Sequence, residues 1–167
     1  MPKAKEIKTN VMRILDQAKI PYQPHYYAHS GDEAVDGVTV AALLGQNPDQ
    51  AFKTLVTRGA SREYYVFVIP VAKELNLKAA AKSVGEKAVE MLHVNELLGV
   101  TGYIRGGCSP IGMKKHFGTV IDESCLAQES MMVSAGKIGT QVELAPKDLI
   151  ALTGAKTAAV ATALTAE

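Results

Sequence analysis

A mixed α/β domain built on a curved, barrel-like sheet of short strands is the fold class this sequence predicts, and three observations predict it. The 167 residues are 47% hydrophobic and 21% charged, enough apolar material for one core without disulfide or metal staples. Runs of β-branched and aromatic residues are short and separated by glycine turns, which favours a curved mixed sheet over a doubly wound parallel one. Apolar residues at helical spacing recur between those runs. With no internal repeat and no linker rich in Pro, Gly or Ser, residues 1–167 read as a single domain.

Ile7, Val11, Ile14 and Leu15 fall at i, i+4, i+7 and i+8, one stripe of an opening helix that Pro21 must end because it has no amide hydrogen to donate. His25-Tyr26-Tyr27 reads as a short strand behind Pro24. A second helix is expected over 39–44, with Thr39 as N-cap and Gly45 as the left-handed stop. Residues 51–57 and 64–69 form a hairpin, joined by a glycine-containing polar loop over 58–62. Leu75, Ala79, Ala80 and Val84 predict a helix over 75–84, closed by Gly85.

In the second half, short strands are expected at 103–104, 119–122, 131–133 and 141–144, with a helix over 95–98 and a last helical turn over 148–152 behind Pro146. The Ala- and Thr-rich tail, 155–167, has little to bury and is expected to be flexible.

Charge excludes some functions. Eighteen Lys and Arg against 17 Asp and Glu leave a net +1, so any nucleic-acid contact must use a local patch, such as Lys78, Lys82 and Lys87 or Lys114-Lys115-His116. Those lysines read equally as solvated helix faces. The start, Met1-Pro2-Lys3-Ala4-Lys5-Glu6, lacks the apolar stretch of a secretory leader, and the apolar runs are too short to span a bilayer. A cytoplasmic protein without a membrane anchor is expected. Cys108 and Cys125 form no Cys-x-x-Cys pair and have no histidine at ligand spacing, and on a strand His25 and His29 stand too far apart to chelate one ion, so no metal or other cofactor is expected.

Chemistry has few places to sit. The stretch from Thr101 to Gly112 holds Gly106-Gly107-Cys108-Ser109-Pro110, where consecutive glycines let a backbone approach a ligand or simply make a tight turn. It matches neither a dinucleotide fingerprint nor a Walker loop. Ser134-Ala135-Gly136 is a second small-residue turn after an apolar strand, and neither Ser134 nor Ser109 sits in a Gly-x-Ser-x-Gly elbow. If Phe52 faces the core, alternation turns Lys53 to the other face, either a concave ligand side or solvent. Cys108 has no base assignable to it.

Read in order, these residues resemble a known family. His25 and Tyr27, Phe52-Lys53-Thr54-Leu55, the segment from Leu77 to Gly85, Thr101-Gly102-Tyr103 leading into Gly106-Gly107-Cys108-Ser109-Pro110, and Val133-Ser134-Ala135-Gly136 ahead of Val142-Glu143-Leu144 are similar to the YbaK/EbsC family. That family contains the Cys-tRNA(Pro) deacylases and is related to the editing insertion domain of bacterial prolyl-tRNA synthetases. The similarity runs from the first helix to about Gly154.

The resemblance implies a curved mixed sheet of about seven strands ringed by helices. It also implies hydrolysis of the ester that joins an aminoacyl group to the 3′-terminal adenosine of a mischarged tRNA(Pro). Pocket discrimination between side chains as alike in size as cysteine and proline is limited to about 1–3 kcal/mol, which is why a second, editing site exists. By position the family's pocket lysine is Lys53, placed to support developing negative charge. Tyr27, Thr54, Gly106, Gly107, Ser109, Ser134 and Gly136 are then the contacts to ribose and aminoacyl group.

In cysteine-specific members the substrate's own thiol attacks its ester, so the protein supplies orientation rather than a nucleophile, consistent with the absence of a triad in this sequence. The implied partners are the acceptor end of tRNA(Pro) and, transiently, prolyl-tRNA synthetase. Four positions depart from the pattern: Asp36 replaces a frequent aromatic residue, Ala135 the first glycine of a Ser-Gly-Gly turn, Ile138 a frequent basic residue, and Gln141 an Asp found in some relatives. They leave aminoacyl preference, cysteinyl or alanyl, open. A non-catalytic module that binds an aminoacyl-tRNA end, a nucleotide or a protein on the same scaffold is the alternative, and it predicts binding without turnover.

Overall fold

Thr9 opens the first helix, α1 (Asn10–Gln17), in the computed structural model of the chain, which describes residues 8–31 and 33–163. Its hydroxyl accepts the Met12 amide at 3.3 Å, and Val11, Met12 and Leu15 form a buried stripe of the kind the periodicity predicts. Ile7, the first member of that stripe, and tail residues 164–167 lie outside the described residues.

Along the chain follow β1 (Gln23–Tyr26), α2 (Gly37–Leu43), β2 (Phe52–Gly59), β3 (Tyr64–Pro70), β4 (Lys73–Leu75) and α3 (Leu77–Val84). The second half holds β5 (Val89–Met91), α4 (Val94–Thr101), β6 (Gly118–Asp122), a 3-10 turn (Glu123–Ala127), β7 (Met131–Ser134) and β8 (Thr140–Leu144). Helix α5 (Pro146–Thr153), β9 (Lys156–Ala158) and β10 (Ala161–Ala163) complete the described chain.

The fold class is mixed α/β, as expected, but the strands of the described residues form three sheets instead of one barrel-like sheet of about seven. A five-stranded sheet runs β5-β2-β3-β6-β9, a three-stranded one β1-β8-β7, and β10 pairs with β4. The expected hairpin is there, β2 antiparallel to β3 with Phe52 opposite Pro70 and Arg58 opposite Tyr64. It extends further than the expected loop allows, because residues 58 and 59 still belong to β2.

Strand β3 explains why the large sheet stays open. Val66 and Val68 point into one apolar cluster, with α1, β7 and β8, while Phe67 and Ile69 point into another, with α3 and β6, and none of the four is more than 1% exposed. A sheet covered on both faces has no need to close on itself, and its strands read as continuous apolar runs. Burying a side chain such as Phe67 contributes about 1.5–3 kcal/mol. The three-stranded sheet meets the large one at a single parallel bridge, Ala51 to Met132.

Four local expectations need correction. Asp36, not Thr39, caps α2: its carboxylate accepts the Val38 and Thr39 amides at 3.1 and 3.2 Å. Leu75 ends β4, and α3 starts behind the Asn76 cap. Tyr103 and Ile104 form no strand, because Gly102 ends α4 in the left-handed region at φ +87° and the Thr101 hydroxyl takes up the Tyr103 amide. The segment after Gly154 carries β9 and β10, anchored by fully buried Val160.

Candidate functional site

Where the large and the three-stranded sheets meet, a cavity of about 440 Å³ opens, within the size range of small-molecule sites. The first residues of β2 supply Phe52, Lys53 and Thr54. Helix α2 and the residues before it supply Asp36 to Val38 and Val40. Ser134 ends β7 directly opposite Gln141 of β8, and the next neighbour in that sheet is His25, two residues before Tyr27. Tyr27 is held at the rim by its amide, which donates to the Gly139 carbonyl at 2.9 Å. The loop between α4 and β6 brings Arg105, Gly106 and Cys108.

Tyr27, Lys53, Thr54, Gly106 and Ser134 thus surround one hollow. Gly107, Ser109 and Gly136, expected beside them, do not line it. The Gly107 backbone packs against Lys137 and Ile138. Ser109 is fully buried, its hydroxyl accepting the Ile111 amide at 3.2 Å. Gly136, at φ +97°, turns toward the Tyr103 ring and Val11. These three shape the loops behind the wall.

Lys53 is half-buried, and burial holds its ammonium below the ordinary lysine value, against the pull of Glu74 and Asp36. It forms no ion pair with a described residue, which leaves the cation available to an anionic or polarised ligand. Asp36 lies below the usual carboxylate range, chiefly through its hydrogen bonds to the Thr39 hydroxyl and amide. Thr54 Oγ1 is buried without a hydrogen-bond partner, a group that a ligand atom would satisfy. Ser134 Oγ accepts the Gly136 amide at 3.2 Å, and Gln46 donates its side-chain amide to Gln141 Oε1 at 2.9 Å.

Gly106 is where backbone freedom matters. At φ +87° its Cα faces Ala34 so closely that a Cβ would lie 2.8 Å from the Ala34 Cβ. The wall can approach the cavity here only without a side chain. Ile138, at the departure from a basic residue, is buried behind this glycine.

The lining is poor in conventional catalysts. No imidazole reaches it among the described residues, and Asp36 is its one carboxylate. His25 is engaged elsewhere, bonding Glu143 at 2.7 Å, and His29 bonds the Gly31 carbonyl at 2.8 Å. Burial pushes the Cys108 thiol up to about 12, so its thiolate is scarce near neutrality. No group of three metal-ligating side chains converges among the described residues. What the arrangement offers is a cation, hydroxyls and close backbone, suited to binding and polarising an ester.

The aminoacyl-tRNA editing domain model matches residues 32–152, a span that contains every cavity residue named here except Tyr27. This chain belongs to the aminoacyl-tRNA editing domain family. It is 48% identical over 155 residues to EbsC of Enterococcus faecalis, named a "putative Cys-tRNA(Pro)/Cys-tRNA(Cys) deacylase", covering 93% of this chain and 94% of that protein. It is 28% identical over 109 residues to the uncharacterized protein YwhH of Bacillus subtilis, covering 65% and 69%.

Among solved structures, the editing-domain fold superimposes on the hypothetical protein APE2540 with a TM-score of 0.82 at 25% identity, over 91% of this chain and 99% of that one. It also matches a "putative trans-editing enzyme for prolyl tRNA synthetase", with a TM-score of 0.77 at 24% identity, over 91% and 94%. At that identity the second likeness speaks for the fold. No helix among the described residues of this editing domain is long and apolar enough to cross a membrane.

Editing-domain residues that sequence reasoning had not singled out for the site are Arg105 and the apolar lining of Val35, Val38, Val40, Leu55 and Val71. Arg105 stands next to Gly106 inside the glycine cluster, which was its available signal. Val71 had none, since it reaches the cavity only because Gly37 lets the start of α2 lie against it.

Proposed function

We propose that this editing domain acts in trans as a deacylase of mischarged tRNA(Pro), with Cys-tRNA(Pro) as its principal substrate. The observation that carries this reading is the single hollow shared by Tyr27, Lys53, Thr54, Gly106 and Ser134, which offers ester-polarising groups without a nucleophile and base pair. The name of the relative EbsC, a "putative Cys-tRNA(Pro)/Cys-tRNA(Cys) deacylase", points the same way.

In the proposed reaction the aminoacyl ester lies beside Lys53, with the ribose near Tyr27 and Ser134. The cysteinyl thiol attacks its own ester carbonyl. A sulfur–carbon bond forms, the bond to the ribose oxygen breaks, and the thiol proton ends on that oxygen. The amino acid leaves as a cyclic thiolactone, which water opens to free cysteine. The Lys53 ammonium stabilises the developing oxyanion, a contribution worth about 10²–10³ in rate for one such donor. Holding the chain in a reactive pose supplies up to about 7–11 kcal/mol. Because this chemistry corrects tRNA charging, the cytoplasm is the proposed compartment and prolyl-tRNA synthetase the proposed transient partner.

The experiment measures ester loss from Cys-, Ala- and Pro-tRNA(Pro), with and without the synthetase. Loss of the cysteinyl ester above buffer, sparing of the prolyl ester, and retention of activity in Cys108→Ser support the reading. Saturable binding without turnover would instead make the chain a binding module. An S-methylcysteinyl ester hydrolysed as fast as the cysteinyl one would overturn self-attack.

A further inference from the structure

We propose that Asp36 receives the α-ammonium group of the aminoacyl ester, so that the cavity reads a free amino group on its substrate. The inference deepens the deacylase reading and rests on it. Asp36 is the one carboxylate among the described residues that line the cavity, and it shares that lining with Lys53 and Arg105. An aminoacyl-tRNA end is dipolar in the same sense, with an ammonium on the amino acid and negative charge on the phosphodiester and on the ester oxygen as it reacts.

The hydrogen bonds of Asp36 leave room for such a ligand. Oδ1 accepts the Val38 and Thr39 amides at 3.1 and 3.2 Å, and Oδ2 accepts the Thr39 hydroxyl. A carboxylate has about four lone-pair positions, so one on Oδ2 stays open. Those same bonds fix the rotamer, so the open oxygen is held in place before a ligand arrives.

Capping alone does not call for the charge, because Asn and Ser cap helices as well as Asp does. Lys53 is near enough to pull on the carboxylate but makes no ion pair with it, so neither charge is used up by the other. The residue is exposed, and a cation can reach it.

The test compares Cys-tRNA(Pro) with N-acetyl-Cys-tRNA(Pro), which lacks the positive charge but keeps the thiol and ester. It is run near pH 5.5, well below the chain-terminal α-amino range of about 7.7–8.0, because the neighbouring ester makes the substrate's amine less basic than a chain terminus. Asp36→Asn keeps an oxygen for the Val38 and Thr39 amides and removes the charge. Asp36→Ser is a second variant that can still cap, and thermal unfolding of each verifies the fold. The expected result is a wild-type preference for the free amine, and a rise in KM of about 10- to 100-fold for the free-amine ester alone in both variants, the worth of one hydrogen bond to a charged group.

Equal losses on both esters, or no loss on either, would overturn the role of Asp36 while leaving the deacylase reading intact. Absence of turnover by the wild-type protein on both esters would overturn that reading, and this inference with it.

Discussion

The carboxylate of Asp122 holds Val160 from the far end of the chain: Oδ1 accepts the backbone amides of Val160 and Ala161, both at 3.0 Å. Oδ2 accepts the Ser124 amide at 3.2 Å, so one buried side chain ends β6, starts the 3-10 turn and fastens β10. Asp122→Ala leaves the Val160 amide buried without an acceptor and is expected to cost about 3 kcal/mol. Asp122→Asn keeps an acceptor and is expected to cost less. Urea unfolding measures both, and hydrogen exchange over 156–163 shows whether the strands open first. A loss under about 1 kcal/mol for the alanine variant would show that this clasp is not what holds β10.

Gly106 and Ala34 set the second prediction. An alanine at 106 meets Ala34 and must also hold φ at +87°, a conformation that costs a side-chain-bearing residue about 1–2 kcal/mol. Gly106→Ala is therefore expected to lower stability by about 1–3 kcal/mol and to raise KM for the ester as the wall shifts. Adding Ala34→Gly removes the closest collision but leaves the residue-34 Cα at 3.1 Å and the backbone strain, so the double variant should recover only part of the loss. Full recovery would locate the whole effect in the contact.

Much of this fold is legible in the sequence for a physical reason. The hairpin of β2 and β3 and the stripe on α1 bury continuous or periodic apolar residues, and burial leaves its period in the chain. Features fixed by distant partners leave no such trace. The Ala- and Thr-rich tail is composed like a loose segment, yet it gains strands because Asp122, about forty residues upstream, supplies acceptors. Tyr103 and Ile104 suit a strand, but the left-handed turn at Gly102 and the Thr101 hydroxyl bend them into a loop.

At the site, Lys53, Tyr27, Gly106 and Ser134 follow from a resemblance rather than from spacing. Spacing leaves Lys53 between cavity and solvent. Asp36 reads as a mere departure until the cavity places it beside that lysine.

Glu143 sets a pH dependence of stability. The Ser130 hydroxyl donates to its carboxylate and His25 bonds its other oxygen at 2.7 Å, which together hold it below the ordinary glutamate value of 4.5. A carboxyl group depressed on folding stabilises the native state above its unfolded pKa, and that contribution is lost as pH falls through the folded one. Wild-type stability is therefore expected to exceed that of Glu143→Gln near neutrality, and the gap to close as pH drops below 4.5. Urea midpoints across this range measure it. A gap that stays constant as pH falls would mean that the pair contributes packing alone.

Lys53 opposes stability to activity. Burial lowers its pKa from the ordinary 10.5, so between the folded value and 10.5 the unfolded chain binds more protons and stability rises with pH. Below that window the protein carries the full cost of a half-desolvated ammonium. Lys53→Met, which keeps the stem and removes the charge, is expected to be at least as stable as wild type at neutral pH.

The same variant is expected to lose about 10²–10³ in deacylation of Cys-tRNA(Pro), because the cation that meets the ester oxygens is gone. The part of the alkaline fall in wild-type activity that Lys53→Met does not share, corrected for spontaneous ester hydrolysis, should set in before pH 10.5 is reached, as the lysine loses its proton earlier than a free one would. Thermal melts, single-turnover rates and a pH profile test the three statements together. A methionine variant that deacylates at the wild-type rate would remove Lys53 from the chemistry, whatever its stability.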